Sequence, residues 1–102
     1  MRVFARINHA ALAAETGLTL LPTELLIFGN PRAGTPMMQE SQTMGIDLPL
    51  KALVWQDSQG NTWLTYNDPG WLGSRHGISE NNRIVDTMAL ALGVIAKKST
   101  EP

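Results

Sequence analysis

The segment from Leu50 to Tyr66 constrains this chain more than any other. From Leu50 the pattern reads as a strand. Asp57-Ser58-Gln59-Gly60-Asn61 then fits a three-residue loop, a type I turn followed by glycine in the left-handed conformation. That turn fixes the register: position 57 pairs with 61, Trp55 faces Trp63, Val54 faces Leu64, and Leu53 faces Thr65. Successive strand residues point to opposite faces, so Leu53, Trp55 and Trp63 share one face. Val54, Leu64 and Tyr66 share the other, and both faces are apolar. A hairpin at the centre of the chain makes the sheet at least partly antiparallel.

The flanking segments supply the other elements. Residues 3–7 suit a short strand, and Asn8 caps an alanine-rich helix that Gly17 ends in the left-handed conformation. Thr23 to Phe28 reads as a strand with apolar residues on both faces, which places it centrally. Residues 29–36 read as a loop, with Thr35 as the cap and Pro36 as the first residue of a helix through Met37, Met38 and Gln39. That helix fades near Thr43–Gly45. Asp68 caps a short helix that begins at Pro69 and ends at Gly77. A last helix starts near Ser79, buries Ile84, Met88, Leu92 and Ile95, and finishes at Lys97 and Lys98. The expectation is one α+β domain over residues 1–98, with a mostly antiparallel sheet of about four strands and a loose tail at 99–102.

Composition narrows the function classes. A chain of 102 residues builds one core. Eight basic and nine acidic side chains leave a net charge of −1, which gives no general attraction to nucleic acid or to an anionic membrane. The absence of Cys removes disulfides, thiolate metal sites and cysteine nucleophiles. No apolar run, Leu25–Phe28 included, approaches the length of a membrane span. The opening residues have no signal-peptide pattern, so a cytoplasmic location is expected.

Few motifs carry chemistry. Gly29 and Gly34 have the G-x-x-x-x-G spacing of a phosphate loop, but Thr35 stands where that motif requires Lys. Pro36 stands where it requires Ser or Thr for magnesium, so nucleotide hydrolysis is not expected. Free N–H groups at the helix start, with Asn30, Arg32 and Thr35, would suit a small anion, and Asp68 completes the tentative ligand set. His9 and His76 have no partner ligand at helical spacing, so no metal site is expected and no cofactor is implied. Ser74, His76 and Asp68 include the residue types of a catalytic triad. Ser74 and His76 stand two apart on a helix, however, and cannot face each other. Trp55 and Trp63 could stack nucleic-acid bases, but Lys51 is the only nearby cation. Cross-strand aromatic packing, worth about 0.5–1.5 kcal/mol beyond area burial, accounts for the pair more simply.

Four motifs resemble a known family. They are Leu26-Ile27-Phe28-Gly29-Asn30-Pro31, Gly34-Thr35-Pro36-Met37-Met38-Gln39, Leu48-Pro49-Leu50-Lys51 and Tyr66-Asn67-Asp68-Pro69. Their order and spacing, over roughly residues 3 to 77, resemble the family called domain of unknown function 302. The resemblance implies a small α+β fold and an association with dimers, and it supplies no activity. It also implies an extra strand and a long helix ahead of the strand at 3–7, where this sequence opens on Met1.

Charged residues are few and scattered, so binding is expected rather than acid–base catalysis. The leading expectation is a self-associating binding domain, a homodimer or higher symmetric oligomer, with Leu53, Trp55 and Trp63 at the interface. The alternative is a small-molecule or anion sensor, or an enzyme, that uses the loop at 29–36.

Overall fold

The hairpin forms in the register its turn dictates, as seen in a computed structural model that describes residues 2–78. In chain order the elements are β1 (Arg2–Asn8), α1 (His9–Glu15), β2 (Thr23–Gly29) and α2 (Pro31–Glu40). A 3-10 turn over Gln42–Ile46 follows, then β3 (Leu50–Gln56), β4 (Thr62–Tyr66) and α3 (Pro69–Arg75). The strands form one antiparallel sheet in the order β1-β2-β3-β4. This is the expected α+β class, with β2 inside the sheet. The expected helix from 79 to 98 and the tail at 99–102 lie outside the described residues.

Local chemistry explains most element ends. The Asn8 side chain accepts from the Ala11 N–H, and Gly17 at φ +76° turns the chain out of α1. Asp68 accepts from the Trp71 N–H at 3.1 Å, and Gly77 at φ +72° follows α3. At the hairpin, the Asp57 N–H donates to the Asn61 carbonyl at 2.9 Å. Gly60, at φ +84°, donates to the Asp57 carbonyl at 3.1 Å.

One boundary differs from expectation. Thr35 is not a cap, and Pro36 lies inside α2 rather than at its start. The chain offers two cap-then-proline signals, Asn30-Pro31 and Thr35-Pro36, and the first prevails. Asn30 has extended backbone angles, its side chain accepts from the Arg32 N–H at 3.0 Å, and Pro31 occupies the first helical position. Past Glu40, the 3-10 turn replaces the expected fading helix and buries Met44.

The core joins strand residues Phe28, Leu50 and Ala52 to Met37 of α2, Met44, Leu72 of α3 and Ile78. The register places Phe28 opposite Leu50, and Leu26 opposite Ala52, on one face of the sheet. Every fully buried strand side chain among the described residues lies on that face. On the other face Leu25, Ile27, Leu53 and Trp55 are only half-buried, and Trp63 is 51% exposed.

Candidate functional site

Where β2 runs out into α2, the end of the sheet and the helix leave a cleft of about 190 Å³. Gly29, Asn30 and Pro31 form one wall, and Gly34, Thr35 and Met38 of α2 form a second. Leu48, Pro49 and Leu50 form a third, and Phe4 of β1 closes the side. Among the described residues, no lining residue is ionisable. Two glycines leave room in the walls: a Cβ on Gly29 would lie 3.6 Å from Phe4 and Pro49, and one on Gly34 would lie 3.5 Å from Leu48, both ordinary contact distances.

The four tentative ligand residues divide. Asn30 and Thr35 line the cleft, whereas Arg32 and Asp68 do not. Arg32 is exposed at the start of α2, and Asp68 is occupied as the cap of α3. The first turn of α2 also keeps its own donors. The Arg32 N–H goes to the Asn30 side chain, the Ala33 and Gly34 N–H groups go to the Asn30 carbonyl, and Pro31 has none. An anion would find no free backbone donor there.

The three tentative interface residues do share a face. Trp55 and Trp63 stack with ring centroids 6.1 Å apart and planes at 22°. The Trp55 indole N–H donates to Thr65 Oγ1 at 2.8 Å, and the Trp63 indole N–H donates to Asp57 Oδ2 at 2.9 Å. Both rings therefore present apolar surface with their one polar group already satisfied. The Trp63 indole, helped by the Asn61 backbone N–H, holds the Asp57 carboxyl below its ordinary value of 3.8.

A side-chain cluster that sequence reasoning missed joins the 3-10 turn to α3. His76 Nε2 lies 2.6 Å from Asp47 Oδ2, and Thr43 Oγ1 lies 2.9 Å from His76 Nδ1. A carboxylate only accepts, so Nε2 carries a proton, and a neutral ring takes the Thr43 hydroxyl proton at Nδ1. Arg75 lies 3.5 Å from the same Asp47 oxygen, with its guanidinium 5.0 Å from the centroid of the Trp71 ring. The connectivity is that of a hydroxyl–imidazole–carboxylate relay, but Thr43 does not line the cleft. The cluster ties two elements of the covered face together. Its members are 29 and 33 residues apart in sequence, so no local spacing announces it.

Among the described residues, these features define a single-sheet α+β domain with one helix-covered face, one face without helix cover and a cleft without charged lining at the strand ends. The chain matches the family model described as Domain of unknown function DUF302 over residues 1–95, and it belongs to that family. Its fold resembles the crystal structure of an uncharacterized conserved DUF302 protein from Bacillus stearothermophilus. That likeness has a TM-score of 0.80 at 20% identity and covers 93% of this chain and 74% of the other. At the sequence level the chain is 48% identical over 98 residues to proteins named fluoride-specific ion channel FluC 1 from Brucella suis and Brucella abortus. The match covers 95% of this chain but only 39% and 36% of those relatives.

Proposed function

We propose that this chain is a non-catalytic binding domain that self-associates through its open sheet face. The observation that supports this reading is the pairing of half-buried Leu53 and Trp55 with exposed Trp63 on the face that, among the described residues, holds no buried strand side chain. Among β2, β3 and β4, Lys51 is the one charged residue on that face, so a second copy meets little charge to desolvate. The neighbouring edge strand β4 carries neither charge nor proline, and those are the usual devices that keep edges apart. A two-fold axis beside β4 would bring both features of one copy against the same features of the other. The setting we propose is cytoplasmic.

Light scattering across a dilution series tests this reading. A species of twice the 11.1 kDa chain mass that dissociates on dilution, with a melting temperature that falls alongside, is the expected result. Trp63→Glu should give a folded monomer. A clean monomer whose melting temperature ignores concentration overturns the reading.

A second reading, a small-molecule site beside the 29–36 segment, is favoured by the cleft there. The channel relatives fit either reading, because a conducting pore needs membrane-spanning segments. Among the described residues no helix is long and apolar enough to cross a membrane.

A further inference from the structure

We infer that the cleft at the β2–α2 junction is a binding site for a small uncharged molecule of about one ring, carrying one hydroxyl or carbonyl group. This inference rests on the second reading above and gives that site its ligand class.

Size, polarity and position all support it. A cleft of about 190 Å³ compares with the apolar cavity of roughly 150 Å³ that stays dry and admits benzene. Water in such a site finds few partners, and an apolar group that displaces poorly held water gains affinity. Among the described residues no lining residue is charged, and the first-turn N–H groups of α2 are already used. A phosphate or carboxylate buried there would lose hydration without a compensating partner. A neutral polar group would be met at the rim. The Asn30 side-chain oxygen is engaged by Arg32, which leaves its amide N–H groups to donate, and the Thr35 hydroxyl can donate or accept.

The walls are also pre-set. Pro31 and Pro49 stiffen two of them, and Gly29 and Gly34 leave room that any side chain would occupy. Three of the four motifs that carry the family resemblance, those beginning at Leu26, Gly34 and Leu48, converge on this one cleft. A pre-formed apolar pocket with a few placed polar groups is the usual form of a small-molecule site.

The test titrates phenol, cyclohexanol, benzoate and inorganic phosphate against the full chain, following the Met38, Leu48 and Leu50 methyl signals by NMR. Saturable shifts with phenol or cyclohexanol, and none with benzoate or phosphate, are the expected result. Gly34→Ala should weaken phenol binding by roughly 10-fold or more, because the added methyl occupies the cleft while meeting Leu48 and Met38 at ordinary contact distance. Thr35→Val, which removes the hydroxyl at constant shape, should weaken it by roughly 2–10-fold. Shifts with benzoate or phosphate as strong as those with phenol would overturn the ligand class while leaving a site at this segment. No shift with any of the four would overturn the class and the site together. Methyl contacts from Ile84, Met88, Leu92 or Ile95 to Met38 in the ligand-free protein would also overturn both, since the chain itself would then fill the cleft.

Discussion

Leu50 and Leu53 stand three residues apart on β3 and face opposite ways. Leu50 is 3% exposed and packs in the core with Met37, Met44 and Leu72, whereas Leu53 is half-buried beside the stacked tryptophans. Composition does not separate the two faces, since leucine and aromatic residues supply both. The difference lies in the connections. The chain between β2 and β3, and the chain after β4, both return across the Leu50 face, so α2, the 3-10 turn and α3 all contribute to that side. An apolar face without such cover is the signature of a surface that works by contact. Among the described residues one face therefore holds the core, and the other is the face through which we propose that copies of the chain meet.

That contrast can be broken at the leucines themselves. Leu50→Ala should cost about 2–5 kcal/mol in urea unfolding, through lost burial and the cavity left under α2. Asp68→Ala should cost about 1 kcal/mol, because α3 loses its cap and Leu72 is held less firmly on the covered face. Leu53→Ala should cost about 0.5–1 kcal/mol in the monomer, since surface-facing truncations lose little. If Leu53→Ala proves as destabilising as Leu50→Ala under dilute conditions, the open face is buried within the chain and the comparison fails.

The smallest effect concerns acid. The folded-state pKa of Asp57 is lowered, so the folded hairpin binds fewer protons than the unfolded chain as pH falls through that range. Its contribution is fully present above 3.8 and is lost as pH drops below that value toward the lowered one. Tryptophan fluorescence between about pH 5 and 2 should show this loss, and Asp57→Asn should flatten it. The sharper comparison is with Trp63→Phe, which removes the leading hydrogen bond to the carboxylate and should move the loss toward higher pH.

Much of the fold was legible because it is locally encoded. Gly60 and Asp57 determine the turn, and the turn determines that Trp55 meets Trp63. Asn8 and Asp68 cap the helices that follow them, through hydrogen bonds to residues three positions on. The start of α2 was misread for an equally local reason: Asn30-Pro31 and Thr35-Pro36 carry the same signal, and short-range rules do not rank them.

The candidate sites depend on longer range. Sequence brought Asn30 and Thr35 to notice as neighbours of a loop, but their shared cleft exists only because Leu48-Pro49-Leu50 and Phe4 close it. His76 reads in sequence as a helix-end residue, and only folding brings Asp47 and Thr43 to its two nitrogens. By itself the sequence determined the hairpin register, the capped helix starts and the glycine-ended turns, since torsional preference and hydrogen bonds over a few residues fix those. Only the tertiary structure decided which sheet face the helices cover and which residues enclose the cleft. Those outcomes depend on where distant segments pack, and the alternating apolar pattern of the strands is the same for either face.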